Sequence, residues 1–254
     1  MIDDKANVSW KQGNPNHGPD MFNCFSGTAS DLSLLITQVP QYLDVKLSEH
    51  ICAGVSLGGH ATWQILLGEP RVKAGIVVIG CPDYVRLMTD RAVRSKLETC
   101  TATDPPGRDF LGSKDFPPSL VAAIGERDPA GILFDRPSTP NSDCLPQPPS
   151  ASQQQKLRPI VESRLAGKKV LCVSGGKDKL VPYACGKPFV TWLKKAVDPQ
   201  SGWCKDLDIG IEDILDPEGR HEFSALMRKE AERWLCDLLA GEEKAGSTTR
   251  ESKM

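Results

Sequence analysis

Three residues spread along the chain have side chains that could together carry out nucleophilic chemistry. Ser56 lies in GVSLGGH, between a strand-like and a helix-like run. Asp178 follows another strand-like run in SGGKDKLVPY, and His221 lies in LDPEGRHEF ahead of the last helix-like run. A serine whose proton passes to a histidine oriented by a carboxylate can attack a carbonyl carbon. The G-x-S-x-G pattern around Ser56 also occurs in tight turns without catalysis, so the two downstream partners are what favours a nucleophile.

These residues must be positioned by segments that alternate between strand-like and helix-like patterns. Short apolar runs predict buried strands, and apolar residues at helical spacing predict helices. The predicted strands cover residues 51–55, 74–79, 169–173 and 207–214, the last near the sheet edge. The predicted helices cover residues 28–39, 61–67, 85–97, 188–197 and 223–239, with Pro40 ending the first and Gly241 the last.

This order predicts the α/β class, with a mostly parallel sheet covered by helices. Residues 84–165 interrupt the alternation with proline-rich stretches and are predicted to form a cap-like insertion. We therefore expect a single domain over residues 1–240 and a disordered polar tail over residues 241–254. Functional groups gather at the carboxyl ends of parallel strands, which is where Ser56, Asp178 and His221 all lie.

The chain order Ser, Asp, His, with the serine on a strand-turn-helix elbow, resembles the α/β-hydrolase superfamily from about residue 28 to residue 239. The stretches GVSLGGH, GGKDKLVP and GRHEF are most similar to fungal-type esterases and serine hydrolases of the prolyl-oligopeptidase-like branch. The resemblance implies that Ser56 is the nucleophile, His221 the base and Asp178 the carboxylate that orients the imidazole. This chemistry requires no metal or organic cofactor, and we expect none.

Other residues of the same types compete for these roles. Asp83 also follows a strand-like run, at an earlier position that some superfamily members use for the acid, but the glycine-rich approach to Asp178 favours the later residue. His60 lies on the helix after the elbow and is expected to point into packing, while His50 precedes the first strand at its amino end. His17, in GNPNHGPD, either lines a pocket or caps a turn.

The elbow itself predicts part of an oxyanion site. The sharp turn brings strand and helix together at Gly54 and Gly58, and we expect no space for a side chain at either position. The backbone N–H of Leu57, at the amino end of the following helix, is expected to stabilise the oxyanion of a tetrahedral intermediate.

The segment ahead of the elbow is shorter than the superfamily pattern requires. A second oxyanion donor normally comes from a loop there, but residues 1–49 contain one helical pattern, no convincing strand pair and no HGG-type loop. We expect the front half of the sheet to be absent. The first strand would then expose an unpaired apolar edge, which favours aggregation or a homodimer through that edge.

Composition and termini limit the partners and the compartment. A net charge of −2 and a pI near 6.1 exclude a basic nucleic-acid surface, and no stretch approaches the ~20 apolar residues that span a bilayer. The nine cysteines, never spaced C-x-x-C, are expected to be reduced. The N-terminus does not resemble a secretory signal, so we expect a peroxisomal or cytoplasmic protein. The C-terminal tripeptide SKM is one conservative change from the address S-K-L, is similar to that of peroxisomal hydrolases of fungal toxin pathways, and makes a peroxisomal import receptor a candidate partner.

Two functions are compatible with these observations. The first is a serine hydrolase that cleaves a carboxylic ester or thioester of a small organic molecule through an acyl-enzyme, in secondary metabolism, with peptide cleavage as a less favoured variant. The second is a weak or inactive protein of the same fold that binds a metabolite or partner. The three residues favour the first, and the missing oxyanion loop favours the second.

Overall fold

Four parallel β-strands form the centre of the molecule. The computed structural model describes residues 8–104, 106–134 and 149–251. The strands are β1 (His50–Val55), β2 (Val72–Val78), β3 (Lys169–Gly175) and β4 (Gly210–Asp216), and they lie side by side in chain order. All three neighbouring pairs are parallel. The predicted fold class, a mostly parallel sheet covered by helices, is confirmed.

Helices pack on both faces of this sheet. They are α1 (His17–Leu43), α2 (Leu57–Gly68), α3 (Tyr84–Arg94), α4 (Glu98–Thr101), α5 (Pro118–Arg127), α6 (Pro129–Phe134), α7 (Ala151–Leu165), α8 (Tyr183–Ala196) and α9 (Ala225–Glu251). Because side chains alternate along a strand, Val77 and Cys172 join the large core beneath α2 and α8, while Ile76 and Leu171 pack with Trp234 of α9 on the other face.

Helix α2 is the most deeply buried helix around the elbow. Its residues from Gly59 to Leu67 are all buried, because the helix is enclosed by β1 and β2 on one side and by α1, α5 and α7 on the others. A helix that is apolar all round is expected in such a position. Its amino end is thereby fixed against the carboxyl ends of β1 and β2.

Between β2 and β3, where the sequence predicted an insertion over residues 84–165, the described residues form the five helices α3 to α7. Helix α3 begins at Tyr84 and ends at Arg94, close to the predicted span of 85–97. Part of the proline-rich stretch RPSTPNSDCLPQPPS lies outside the described residues. The predicted domain limits stay a prediction.

Several predicted helix ends were wrong. Helix α1 begins at His17 instead of residue 28 and continues past Pro40 to Leu43. A proline in the first turn costs no intrahelical hydrogen bond, so Pro19 is compatible with the early start, and Pro40 sacrifices one bond close to an exposed end. Helix α8 likewise begins at Tyr183, five residues before the predicted start, and contains Pro188.

The last strand and the last helix also differ from expectation. Strand β4 begins at Gly210, and Leu207 belongs to a short 3₁₀ turn. Helix α9 continues through Gly241 to Glu251, so Gly241 does not end it. The disorder expected of the polar tail stays a prediction. A single glycine costs a helix only about 1 kcal/mol, which the helix-forming residues that follow can offset. The SKM tripeptide lies outside the described residues.

Strand β1 has an open edge. It pairs with β2 alone, and the described residues ahead of it contain helix and turn but no strand. Ile51 and Val55 point to the face on which α9 packs farther along the sheet, and they are 37% and 46% exposed. The predicted apolar edge is therefore present. No helix in the described part of the chain has the length and apolarity needed to cross a membrane.

Packing of α9 on the sheet predicts a large stability effect at Trp234, which is 5% exposed, and a small one at Leu239, which is 46% exposed. Trp234→Ala should lower the free energy of unfolding by about 3–5 kcal/mol, because it leaves a cavity against β2 and β3. Leu239→Ala on the same helix should change it by less than about 1 kcal/mol. Urea unfolding followed by circular dichroism measures both, and equal losses would contradict this packing.

Candidate active site

The structure brings Ser56, Asp178 and His221 together in one hydrogen-bonded line. The Ser56 Oγ lies 2.8 Å from Nε2 of His221. The Nδ1 atom of the same imidazole lies 2.9 Å from Oδ2 of Asp178. Since the carboxylate can only accept, Nδ1 carries the proton and Nε2 is left to accept from the serine hydroxyl. The predicted proximity of the three residues is confirmed, and their catalytic roles stay a prediction.

Topology explains why three distant residues meet. Ser56 directly follows β1, Asp178 lies in the loop after β3, and His221 lies in the loop after β4. Parallel strands place all their carboxyl ends at the same edge of a sheet, so these loops emerge side by side. The pairing of Gly175 with Asp216 at the ends of β3 and β4 brings the second and third loops level with each other.

Backbone hydrogen bonds join the loops that carry Asp178 and His221. The N–H of Gly176 donates to the carbonyl of Asp216 at 2.7 Å, and the N–H of Lys177 donates to the carbonyl of Gly219 at 2.8 Å. The approach is close enough that a Cβ on Gly175 would lie 2.6 Å from the carbonyl oxygen of Gly219. The separation of acid and base is thus set by main-chain contacts.

Both oxygens of the Asp178 carboxylate accept hydrogen bonds. Its side chain is fully buried. Oδ1 accepts hydrogen bonds from the N–H groups of Leu180 and Val181 at 2.8 and 2.9 Å, which leaves Oδ2 for His221. A buried carboxylate with these partners cannot rotate without losing hydrogen bonds, so it fixes the plane of the imidazole.

Ser56 occupies a strained turn. Its backbone has φ 55° and ψ −111°, a conformation that non-glycine residues rarely adopt. The N–H of Ser56 donates to the carbonyl of Val78 at 2.9 Å, which ties the turn to the end of β2. The hydroxyl is thereby presented at the carboxyl ends of the strands, as expected for a nucleophile elbow.

The glycines of the elbow are only partly those that the motif predicted. A Cβ on Gly54 would lie 2.1 Å from the carbonyl oxygen of Gly58, so Gly54 is required. A Cβ on Gly58 would meet nothing within 4 Å, whereas one on Gly59 would lie 2.7 Å from the carbonyl oxygen of Val78. The expectation for Gly58 was therefore wrong, because it is the next glycine that faces the backbone of β2.

Leu57 is the first residue of α2, as the oxyanion prediction requires. The first N–H groups of a helix have no acceptor within the helix, and the helix dipole adds partial positive charge there. Leu57 also lines the same cavity as Ser56. Its N–H is available for an oxyanion, and this role stays a prediction.

The competing candidates lie elsewhere. Asp83 is buried and caps α3 by accepting from the N–H of Arg86 at 3.0 Å. His60 packs inside the core, where burial lowers its pKa to about 4 and its Nδ1 accepts from the N–H of Cys81. His50 begins β1 at the amino end of the sheet. His17 begins α1 and lines the cavity beside Ser56, so of its two expected positions the pocket wall is the observed one.

The cavity beside Ser56 has a volume of about 460 Å³ and walls that sequence reasoning missed. Trp10 and Met21 come from the N-terminal segment, Arg91 from α3 and Leu180 from the Asp178 loop. Their place depends on how the N-terminal segment and the insertion fold back onto the sheet. The one indication of this wall in the sequence was the i, i+4 spacing of His17 and Met21, which places both residues on the same face of a helix.

The described residues contain no cluster of three or more His, Cys, Asp or Glu side chains suited to a metal ion. Eight cysteines within these residues are free. Cys52 in β1, Cys172 in β3 and Cys81 just after β2 are buried.

A parallel sheet with a strained serine elbow after one strand, followed by an aspartate and a histidine after later strands, defines the α/β-hydrolase fold.

No protein-family model and no curated protein matches the sequence. Among solved structures, the chain is similar to Arabidopsis thaliana SOBER1, with 14% identity over 85% of this chain and 64% of that one and a TM-score of 0.42. Esterase PE8 has 12% identity over 87% and 64% of the two chains and a TM-score of 0.44. Pyrococcus horikoshii acylaminoacyl peptidase has 16% identity over 78% and 24% and a TM-score of 0.40. The chain thus spans less than two thirds of the length of each of these chains.

The contacts at the elbow predict unequal effects for two neighbouring glycines. Gly54→Ala should lower the free energy of unfolding by about 2–3 kcal/mol, because its methyl group collides with backbone that cannot move freely. Gly58→Ala should be neutral or stabilise by up to about 1 kcal/mol, since it adds a helix-favouring residue in open space. Thermal or urea unfolding of both variants measures this. A loss at Gly58 as large as at Gly54 would contradict the elbow geometry.

Proposed function

We propose that the chain is a serine hydrolase that cleaves a carboxylic ester or thioester of a small organic molecule. The observation that carries this proposal is the line from Ser56 through His221 to Asp178, with hydrogen bonds of 2.8 and 2.9 Å. The alignment of these side chains at a strained elbow that opens into a cavity is what nucleophilic catalysis requires.

The first half of the reaction forms an acyl-enzyme. The Ser56 Oγ attacks the carbonyl carbon while its proton passes to Nε2 of His221. The imidazolium that forms is stabilised by Asp178, and the N–H of Leu57 donates to the developing oxyanion. Collapse of the tetrahedral intermediate breaks the bond to the leaving alcohol or thiol, which takes the proton from Nε2.

The second half regenerates the enzyme. Nε2 of His221 accepts a proton from water as the water oxygen attacks the acyl carbon. Collapse of this second intermediate returns the proton to Ser56 and releases the carboxylic acid. The His221 side chain is 27% exposed, so it is within reach of water.

The cavity supports a small substrate. Its volume of about 460 Å³ falls within the roughly 300–1,000 Å³ typical of small-molecule sites. Apolar groups of Trp10, Met21 and Leu57 form much of its wall and suit the hydrocarbon part of an ester. An ester or thioester is favoured over a peptide because an alcohol or thiol is a better leaving group than an amine, so bond cleavage depends less on protonation by His221.

A non-catalytic binding role for the same cavity is the second candidate. It is favoured by one observation, that the described residues ahead of β1 contain no strand-and-loop unit that could supply a second oxyanion donor. Loss of one donor costs roughly a hundredfold to a thousandfold in rate. Such a protein would bind a ligand beside Ser56 without turning it over.

A fluorophosphonate probe tests the proposal, because it reacts with an activated serine and forms a stable adduct. The wild-type protein should be labelled at Ser56, and Ser56→Ala should abolish labelling. His221→Ala should slow it by roughly a thousandfold or more and Asp178→Asn by a comparable factor, since both remove the activation of the hydroxyl.

The matched control is Ser163→Ala, an exposed serine on α7, which should be labelled like the wild type. Intact-mass spectrometry over time gives the rates, and circular dichroism confirms that each variant is folded. Folded wild-type protein that takes up no label, or Ser56→Ala protein labelled at the wild-type rate, would refute the hydrolase and leave the binding role.

A further inference from the structure

The cavity beside Ser56 contains a cation that the described residues do not neutralise. Arg91 of α3 lines this cavity together with Ser56. Its guanidinium donates to Nε2 of His17 at 3.3 Å, to the Met21 sulfur at 3.0 Å and to the carbonyl of Leu180 at 2.9 Å. These acceptors are all uncharged, and no ion pair joins Arg91 to an Asp or Glu of the described residues.

Arg91 is held in place while part of its hydrogen-bonding capacity is unused. Its Nε is buried and has no acceptor within the described residues. Burial is also the main reason that the pKa of Arg91 is lowered from its ordinary value, although an arginine stays charged at neutral pH. A buried charge without a counter-charge is costly in a folded protein. A bound anion would remove that cost.

The neighbouring carboxylates in the described part of the chain form no ion pair with Arg91: Asp90 favours its charge through space but is paired with Arg94. Burial and the charge of Arg91 lower the pKa of His17 to about 4, so this imidazole is neutral and serves as an acceptor. Asp20 also lines the cavity, but its Oδ2 accepts from the Asn14 amide at 2.9 Å and it forms no ion pair with Arg91.

The other charges on the wall are cationic. Arg94 is paired with Asp90, one turn earlier on α3, while Lys11 belongs to the N-terminal segment. With Arg94 neutralised by Asp90, Arg91 and Lys11 remain against Asp20, so the wall of the cavity has more positive than negative groups. Its electrostatic potential therefore favours an anion.

We propose that Arg91 binds a carboxylate on the substrate, so that the preferred substrate is an ester whose acyl part ends in a carboxylate. This proposal rests on the proposed hydrolase function and specifies its substrate class. A planar guanidinium with fixed N–H directions suits a carboxylate better than a neutral group. The apolar side chains of Trp10, Met21 and Leu57 then contact the methylene chain between the carboxylate and the scissile carbonyl.

Matched pairs of chromogenic esters test this proposal on the wild-type protein. The mono-4-nitrophenyl esters of adipic and suberic acid are compared with 4-nitrophenyl hexanoate and octanoate, which have acyl chains of the same lengths without the carboxylate. We expect kcat/KM to be about tenfold or more higher for the acidic member of at least one pair, as a charge-assisted contact would produce. Two chain lengths allow for the reach from Ser56 to Arg91.

Variants then assign the preference to Arg91. Arg91→Gln should bring the ratio of the two kcat/KM values close to one, and Arg91→Lys should retain part of the preference because it keeps the charge. The matched control is Arg108→Gln, an exposed arginine that donates to the Asp104 carbonyl and does not line the cavity, and this variant should keep the wild-type ratio. Labelling of each variant by the fluorophosphonate probe shows that the triad is intact.

The outcomes separate the two proposals. A wild-type protein that hydrolyses the neutral esters as fast as the acidic ones overturns the role of Arg91 and leaves the hydrolase standing. A preference that survives unchanged in a labelled Arg91→Gln protein also overturns it. A folded wild type that cleaves none of the esters and takes up no label overturns both.

Discussion

The hydrogen bond between Asp178 and His221 is the interaction on which the proposed chemistry depends. It determines which imidazole nitrogen carries the proton, and therefore whether Nε2 can accept one from Ser56. The carboxylate can do this only because two backbone N–H groups hold its other oxygen and because its loop is joined by main-chain bonds to the loop of His221. The pairing of β3 with β4 holds these two loops side by side at the carboxyl ends of the strands.

The serine depends on a different pair of strands. Its strained turn is tied to the carbonyl of Val78 at the end of β2, and Gly59 of α2 contacts the same carbonyl region. These contacts lie on the side of β1 that pairs with β2. The open edge of β1 therefore exposes Ile51 and Val55 without loosening the elbow. An unpaired edge is a liability for solubility, but within the described residues the geometry of the three side chains does not require a strand beside β1.

The sequence was sufficient to predict that Ser56, Asp178 and His221 lie together, because each lies in a recognisable loop and parallel topology brings such loops to one end of the sheet. It was insufficient wherever the outcome depended on tertiary contacts. Gly58 and Gly59 are indistinguishable in the motif, and only the position of β2 decides which must lack a side chain. The early start of α1 was hidden because HGPD has the composition of a turn, and it is Phe22 and Phe25, packed against each other and against Tyr84, that make the segment helical.

The position of Arg91 was not predicted, because it too depends on tertiary contacts. It separates the elements proposed to bind the substrate from those proposed to cleave it. The groups proposed for bond cleavage all come from loops at the sheet edge. Part of the wall that is proposed to contact the rest of the substrate comes from α1 and α3, which are joined by a 2.6 Å hydrogen bond from the Tyr84 hydroxyl to the carbonyl of Gly18. The cap that Asp83 provides at the start of α3 fixes the same helix from the sheet side. Helices α1 and α3 contribute none of the groups proposed for bond cleavage, so changes in them are expected to act first on which ester is bound. Arg91 also donates to the Leu180 carbonyl in the Asp178 loop, so a change at that position is expected to reach the triad as well.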